Sequence, residues 1–181
     1  MILDLGTGDG RAVLVRAAAD PRALVIGVDP VAAAMAESSR RGARSGNVLF
    51  VRASAELPPV ELIGGVHELT VLFPWGSLLH GVLGLPGSEA AADGMAGLLR
   101  AGGRLISLVS VTERDHSVGL TGLDEASIAR IARAHGMRGL RLCAARPAAA
   151  GELRASGSTW ARRLGATAGL RPVWRLEFER G

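Results

Sequence analysis

Glycines and carboxylates that could hold a nucleotide-like ligand lie near the start of this chain. The segment Gly6-Thr7-Gly8-Asp9-Gly10 follows a short apolar run that contains Asp4. Glycines let the backbone turn tightly and approach a ligand, and a helix that begins after them directs free N–H groups at it. A second apolar run ends at Asp29-Pro30, where a carboxylate can bind a pair of ribose hydroxyls. These residues predict a site for a nucleotide-like ligand.

Two details favour a methyl donor over a nicotinamide dinucleotide as that ligand. The glycine spacing is G-x-G-x-G, whereas the dinucleotide fingerprint is G-x-G-x-x-G. Asp4 lies within the first apolar run, where its carboxylate suits a ligand that bears an ammonium group, as S-adenosylmethionine does. Because the glycine pattern is weak by itself, a dinucleotide site stays open as the alternative.

Aromatic residues are concentrated in the segment Leu72-Phe73-Pro74-Trp75-Gly76-Ser77. The chain has only three tryptophans, three phenylalanines and no tyrosine, so this density is unusual. Pro74 lacks a backbone donor and favours an extended Phe73, so the strand is expected to end there. At the carboxyl end of a central parallel strand, Trp75 would face the ligand crevice of an open α/β sheet. A ring that plugs the core is the alternative.

Length and composition indicate one globular domain that spans residues 1–181. The chain is 48% apolar, with no run near the roughly 20 residues that a bilayer requires and no signal-like segment at its start. We therefore expect a cytoplasmic protein without a membrane partner. The lone Cys143 lies in an apolar run and is expected to be a buried, inert thiol. The four histidines lack ligand spacing, which argues against a metal site.

The basic residues are all arginine, and the net charge is +4 with a pI near 11. This balance suits a polyanionic partner, although arginine richness also follows from genome base composition. Arg40, Arg41 and Arg44 cluster at the end of a predicted helix. They could stabilise the helix dipole or form a phosphate-binding face, and the sequence does not choose between these roles.

The hydrophobic pattern predicts alternating strands and helices. Predicted strands cover residues 2–5, 23–28, 48–51, 68–72, 104–111, 140–145 and 173–179, and predicted helices cover residues 11–20, 31–42, 77–85, 89–99 and 123–135. Such alternation indicates a parallel sheet with right-handed crossovers, and the last strand is expected to be antiparallel. Residues 146–157 are poorly patterned and are predicted to be a flexible connection.

Several of these segments together carry a family resemblance. They are residues 4–10 (DLGTGDG), Asp29-Pro30, residues 55–58 (AELP), residues 73–79 (FPWGSLL) and residues 158–164 (STWARRL). The chain resembles, almost end to end, the aminoglycoside-resistance 16S rRNA methyltransferases of the kanamycin–apramycin type, which modify N1 of adenine 1408 in the decoding site. The last two segments are much more specific than the glycine loop.

The resemblance implies a fold, a cofactor and a partner. The implied fold is the α/β, Rossmann-like class I methyltransferase fold, with a seven-stranded, mostly parallel sheet and an antiparallel strand near the C-terminus. The implied methyl donor is S-adenosyl-L-methionine, with S-adenosyl-L-homocysteine as its product. The implied partner is 16S rRNA within the assembled 30S subunit, on which the enzyme would act as a monomer.

The resemblance also implies roles for individual residues. Trp75 and Trp160 fall where the family holds the target base. The positions expected to hold the cofactor are Asp4, Gly6, Thr7, Gly8, Asp29, Pro30, Ala55, Glu56, Leu72, Phe73, Pro74, Ser77 and Ser158. The positions expected to bind rRNA are Arg40, Arg41, Arg44, Arg114, Arg162 and Arg163.

Physical reasoning supports two tryptophans in this role. An enzyme that methylates adenine N1 must extract the base from its helix and hold it between flat side chains, and each stack contributes about 1–3 kcal/mol. N1 has a free lone pair at neutral pH, so it can attack the sulfonium methyl group without a general base. We therefore expect no catalytic acid or base, and orientation and aromatic faces would supply the rate.

Two departures from the family and two alternative functions stay open. Family members usually carry an N-terminal extension before the glycine-loop strand, whereas this chain starts at that strand, so cofactor closure or rRNA docking is expected to be altered. Residues 165–169 are less basic than in the family, which predicts either weaker ribosome binding or compensation by other arginines such as Arg114. The alternatives are a methyltransferase of another RNA or a small natural product, and an inactive cofactor-binding homologue.

Overall fold

The computed structural model describes residues 1–111, 123–169 and 171–181. One β-sheet lies at the centre of the protein. The strands are β1 (Ile2–Leu5), β2 (Val25–Asp29), β3 (Val48–Arg52), β4 (Val66–Leu72), β5 (Leu99–Val109), β6 (Leu140–Pro147) and β7 (Trp174–Arg180). They form a seven-stranded sheet in the order β3-β2-β1-β4-β5-β7-β6. Strand β7 pairs antiparallel with β5 and β6, and the other described pairs are parallel. The predicted sheet is therefore confirmed.

Helices lie between the strands, and the first five of them in chain order were predicted from the alternation. They are α1 (Arg11–Ala19), α2 (Ala32–Gly42), α3 (Gly76–Val82), α4 (Glu89–Leu98), α5 (Glu125–Gly136), α6 (Ala150–Ala155) and α7 (Thr159–Arg163). Within the described ranges, no helix is both long enough and apolar enough to cross a membrane.

The two-residue period of β1 shows how the sheet divides the core. Ile2 packs with Val13 of α1 on one face. Leu3 belongs to the larger cluster on the opposite face, which includes Met95 of α4 and Ile131 of α5. Successive side chains of a strand point to opposite faces, so a short apolar run with helices on both sides is buried throughout.

A smaller apolar cluster, here called the Phe73 cluster, attaches α6 and α7 to the carboxyl ends of β4 and β5. Its buried members are Phe73, Leu108, Leu153, Ala161, Ala166 and Val173. The cluster joins the segment that follows β4 to the segment between β6 and β7. These two segments carry Trp75 and Trp160.

Three local predictions were wrong. Cys143 is exposed, because it lies on the same outward face of β6 as Arg141, with its Sγ 3.9 Å from Oε2 of Glu179. Residues 146–157, predicted to be a flexible connection, include the end of β6 and helix α6. Strand β5 begins at Leu99 rather than at residue 104, so it includes Gly102 and Gly103.

Candidate functional site

The carboxyl ends of β1, β2, β3 and β4 surround a cavity of about 210 Å³, here called the cofactor cavity. This is the edge at which open α/β sheets bind ligands. Its lining includes nine of the predicted cofactor residues, namely Gly6, Gly8, Asp29, Pro30, Ala55, Glu56, Phe73, Pro74 and Ser77, together with Trp75 and Trp160. Sequence segments that are far apart in the chain therefore meet at one site.

The glycine loop is fixed to the end of β2 by Asp29. The carboxylate oxygens of Asp29 accept hydrogen bonds from the backbone N–H groups of Gly8 and Val31, each at 2.8 Å. Gly6 has a positive φ of 72°, and a Cβ there would lie 2.5 Å from Cδ2 of Leu78. Because a carboxylate offers about four acceptor positions, Asp29 retains capacity for ligand hydroxyls.

A close helix contact positions the loop after β3. A Cβ built on Gly94 of α4 would lie 1.7 Å from the carbonyl oxygen of Ala55, so only glycine permits this approach. Hydrogen bonds from Ser77 and Ser54 lower the pKa of Glu56 below its usual value. Glu56 therefore stays ionised at neutral pH, as an acceptor beside the start of α3.

Asp4 is buried on the α1 face of the sheet. It lines a neighbouring cavity of about 400 Å³, together with Thr70 and Leu72, rather than the cofactor cavity. Burial raises the pKa of Asp4 to about 6, and the hydrogen bond that Thr70 Oγ1 donates at 2.7 Å opposes this shift. A cationic partner would stabilise the ionised form of this buried carboxyl group.

Four predicted cofactor residues do not line the cofactor cavity. Asp4 and Leu72 line the 400 Å³ cavity instead. Thr7 and Ser158 are buried, and Ser158 caps α7 by accepting a hydrogen bond from the backbone N–H of Ala161 at 3.4 Å. In the structure, Ser158 thus positions the segment that carries Trp160.

The chain leaves β4 in a strained conformation that displays Trp75. Phe73 has a φ of 54°, in the left-handed region, so the expected extended backbone before Pro74 was wrong. Such a conformation costs on the order of 1–3 kcal/mol. The hydrogen bond from Phe73 N to Leu108 O at 2.8 Å and burial of the ring in the Phe73 cluster hold it. Trp75 follows and is 81% exposed.

Trp160 lies beside Trp75 and above the glycine loop. Its Nε1 lies 3.9 Å from a Cβ built on Gly8, and the ring is 45% exposed. Both tryptophans line the cofactor cavity and also a second cavity of about 180 Å³, here called the tryptophan cavity. Both tryptophans therefore border the same two cavities and are open to solvent.

The predicted rRNA-binding arginines occupy two places. Arg162 and Arg163 are exposed on α7, and the Arg163 guanidinium lies 5.6 Å from the centre of the Trp160 ring. Arg40, Arg41 and Arg44 are exposed at the C-terminal end of α2. Helix α2 leads to the amino end of β3, so these three arginines lie near the amino ends of the strands. The cofactor cavity and the tryptophan cavity lie at the carboxyl ends. Arg114 lies outside the described residues.

Sequence reasoning missed several residues that line the two cavities. In the cofactor cavity these are Leu5, Val31, Ala53, Ser54, Gly76 and Leu78, and in the tryptophan cavity they are Leu79, Ser110, Leu164 and Arg171. Most adjoin predicted residues in the chain, and this adjacency was the only available signal. Among the described histidine, cysteine and acidic side chains, no group is arranged to hold a metal ion.

Three features define the class of protein: the strand order of the sheet, the glycine loop, and the two exposed tryptophans that line the cofactor cavity. The class is the α/β S-adenosylmethionine-dependent methyltransferases. The chain belongs to the 16S rRNA (adenine(1408)-N(1))-methyltransferase family, because the NpmA family model of that description matches residues 1–177. The predicted resemblance is therefore confirmed.

Individual relatives agree with this assignment. The chain is 34% identical over 180 residues to the 16S rRNA (adenine(1408)-N(1))-methyltransferase of Streptoalloteichus hindustanus. The aligned region covers 91% of this chain and 80% of that protein. It is 42% identical over 109 residues to the protein of the same name from Streptoalloteichus tenebrarius, which covers 56% of this chain but only about half, 48%, of that protein.

A solved structure shows the same fold. It is the crystal structure of a tryptophan-to-alanine mutant of the 16S rRNA (adenine(1408)-N(1))-methyltransferase from Catenulisporales acidiphilia, with its cosubstrate S-adenosylmethionine. It superposes with a TM-score of 0.85 and 28% sequence identity, and the match covers 99% of this chain and 84% of that one. The seven-stranded methyltransferase architecture thus extends over nearly the whole chain.

Proposed function

We propose that this protein methylates N1 of adenine 1408 in 16S rRNA, with S-adenosylmethionine as the donor, and so confers resistance to aminoglycosides of the kanamycin–apramycin type. One observation supports this most strongly: two exposed indole rings line both the cofactor cavity and the tryptophan cavity. A flipped purine could lie between the rings and still reach the glycine-loop side of the site.

The residues of the site fit this cofactor. The cofactor cavity includes Gly6, at which a Cβ would collide with Leu78, and it has ionised Glu56 on one wall as an acceptor for an amino group. Asp29 offers its remaining acceptor positions to ribose hydroxyls, and Asp4, which lines the neighbouring 400 Å³ cavity, offers a buried carboxylate to an ammonium group. When bound there, S-adenosylmethionine supplies an electrophilic methyl group.

The chain itself has only to orient the base and exclude water. Adenine N1 keeps a free lone pair at neutral pH, so no side chain need remove a proton before attack. Trp75 and Trp160 hold the purine flat, and their π faces suit the positive charge that develops on the base. We therefore assign both tryptophans as positioning groups at the reacting base and assign no general base.

The arginines suggest how the substrate is recognised. Arg162 and Arg163 adjoin the base-holding site, whereas Arg40, Arg41 and Arg44 lie at the other edge of the sheet. A single rRNA helix end could contact the first group, but contact with both requires an extended, folded surface. We therefore infer that the substrate is the assembled 30S subunit, on which one copy of the protein acts.

Primer extension on purified 30S subunits tests this function. We expect incubation with the protein and S-adenosylmethionine to produce a stop at adenine 1408 that is absent without either component. Free 16S rRNA should give a much weaker stop. Methylation of another RNA or of a small molecule alone, or cofactor binding without transfer to any substrate, would contradict the proposal and favour one of the alternative functions.

Substitution of the two tryptophans tests the mechanism. We expect Trp75→Ala and Trp160→Ala each to abolish resistance and to lower methylation by roughly ten- to a hundredfold, since each stack contributes about 1–3 kcal/mol. Cofactor affinity, measured by calorimetry, should change little. Met137→Ala is the control, because Met137 is as exposed as Trp75, at 82% and 81%, but lies at the end of α5. An equal loss of cofactor affinity would contradict a base-stacking role.

A further inference from the structure

Two arginines face each other where α6 meets the edge of the sheet. Arg146 of β6 and Arg175 of β7 are directly opposite in the antiparallel register. Like charges in this arrangement repel and destabilise the pairing. The structure places Glu152 and Glu177 between them, so the two carboxylates compensate the two guanidinium groups.

Glu152 makes the most contacts in this cluster. Its carboxylate accepts two hydrogen bonds from Arg146, at 2.9 Å and 2.6 Å, and lies 3.4 Å from Nε of Arg175. It also accepts the backbone N–H of Ala149, at 2.8 Å, where α6 begins. A bidentate pair within a network is the kind of surface ion pair that holds a defined geometry. Glu152 therefore fixes the start of α6 to two strands.

Contacts then run from α6 to Trp160. Leu153, the residue after Glu152, is buried in the Phe73 cluster with Ala161, the residue after Trp160. The Ser156 hydroxyl accepts the backbone N–H of Ser158 at 3.2 Å, and Ser158 caps α7. The orientation of α7 is thus tied to that of α6 within a few residues.

We propose that Glu152 is a positioning residue for Trp160, because its ion pairs with Arg146 and Arg175 fix the helix against which the Trp160 segment packs. This inference rests on the proposed function only in so far as Trp160 acts on a base. Neither arginine nor Glu152 lines the cofactor cavity or the tryptophan cavity. Glu152 and Arg175 do line the 400 Å³ cavity together with Asp4, so the Kd for S-adenosylmethionine separates an effect through Trp160 from a direct effect on that cavity.

The first test measures Trp160 directly and requires no methyl transfer. In a background of Trp75→Phe and Trp174→Phe, Trp160 is the single indole, and its acrylamide quenching and fluorescence anisotropy report its mobility. We expect Glu152→Gln to increase the quenching constant about twofold and to lower the anisotropy. The control is Glu179→Gln, which removes a different ion pair between β6 and β7, that with Arg141, and should change neither quantity.

The second test measures turnover on 30S subunits with all three tryptophans present. We expect Glu152→Gln to lower kcat roughly three- to tenfold, since small errors in orientation are costly. The calorimetric Kd for S-adenosylmethionine should stay within about twofold, and Glu179→Gln should match the wild type. Combined with Trp160→Phe, the effects of Glu152→Gln should be less than multiplicative, because both changes act on the same ring.

The outcomes separate this inference from the proposed function. Unchanged Trp160 mobility in Glu152→Gln, or an equal change in Glu179→Gln, would overturn the positioning role whatever the substrate is. Failure of wild-type protein to methylate adenine 1408 would overturn the proposed function, but the mobility comparison would still decide the role of Glu152. If Glu152→Gln does not fold, Arg146→Gln removes the bidentate pair from the strand side, and the same criteria apply.

Discussion

Replacing Asp4 by asparagine should stabilise the ligand-free protein and weaken cofactor binding. The asparagine side chain would have the same shape as the native one and could still accept the hydrogen bond from Thr70. The substitution removes the charge and replaces one carboxylate oxygen by an NH2 donor, at a position where the carboxyl group is buried. Its effect on folding and its effect on binding should have opposite signs, which a general loss of packing cannot produce.

The size of the folding effect follows from the pKa of Asp4. Burial raises this pKa from 3.8 to about 6 in the folded state. Between these values the folded state binds more protons than the unfolded state, so this group contributes stability that is complete below pH 3.8 and is lost as pH rises through 6. Each pKa unit corresponds to about 1.36 kcal/mol, so the wild type lacks up to about 3 kcal/mol at pH 7.5.

Urea unfolding at pH 7.5 and pH 4 measures this effect. We expect Asp4→Asn to raise the free energy of unfolding by about 1–3 kcal/mol at pH 7.5 and to leave it nearly unchanged at pH 4. Other titrating groups are common to both proteins and cancel in the difference. The control is Asp20→Asn, the same substitution at the C-terminal end of α1.

The binding effect is measured by calorimetric titration with S-adenosylmethionine. If the ammonium group pairs with ionised Asp4, the wild type should bind S-adenosylmethionine more tightly at pH 7.5 than at pH 5. At pH 7.5, Asp4→Asn should bind it at least tenfold more weakly than the wild type, since charge-assisted hydrogen bonds contribute about 1.5–3 kcal/mol. The reasoning is refuted if Asp4→Asn destabilises the protein at pH 7.5, or if it binds the cofactor as well as the wild type does.

Two further predictions concern residues behind the site. Gly94→Ala should destabilise the protein by more than about 2 kcal/mol and lower cofactor affinity, because its Cβ would displace the Ala55 carbonyl. Gly97→Ala in the same helix is the control and should be neutral or stabilising, because the nearest atom to its Cβ is 3.8 Å away. Thermal unfolding measures the change in stability, and calorimetry measures the change in cofactor affinity. Burial lowers the pKa of His135, so the stability that its neutral form contributes should be lost as pH falls below about 6.5. In His135→Leu, the free energy of unfolding should therefore decrease less between pH 6.5 and lower pH than in the wild type. An equal decrease in both proteins would contradict the assignment.

Several features of the fold could be predicted because their causes are local. A four-residue apolar run is buried on both faces of a parallel sheet, and Gly6, Gly8 and Gly10 all adopt the positive φ that a tight loop requires. Alternation of such runs with helical segments specified the sheet. These signals depend on neighbouring residues, so the sequence alone contains them.

Other features could not be predicted because distant contacts decide them. Helix α6 has only six residues and no clear periodicity, so its stability comes from ion pairs with β6 and β7 and from burial of Leu153. Cys143 is exposed because the pairing of β6 with β7 turns its side chain to the outward face that carries Arg141 and Glu179. The left-handed conformation of Phe73 opposes the local preference before proline, and tertiary contacts stabilise it.

The sequence by itself determined the class of fold, the residues that could bind a nucleotide-like cofactor, and the presence of two tryptophans in family-specific segments. Only the tertiary structure decided that Trp75 and Trp160 line the same two cavities, and that Asp4 lies on the α1 face of the sheet. The physical reason is that a strand or a glycine turn depends on a few adjacent residues. The separation of the two indole rings depends on the packing of the Phe73 cluster, to which both tryptophan-bearing segments contribute.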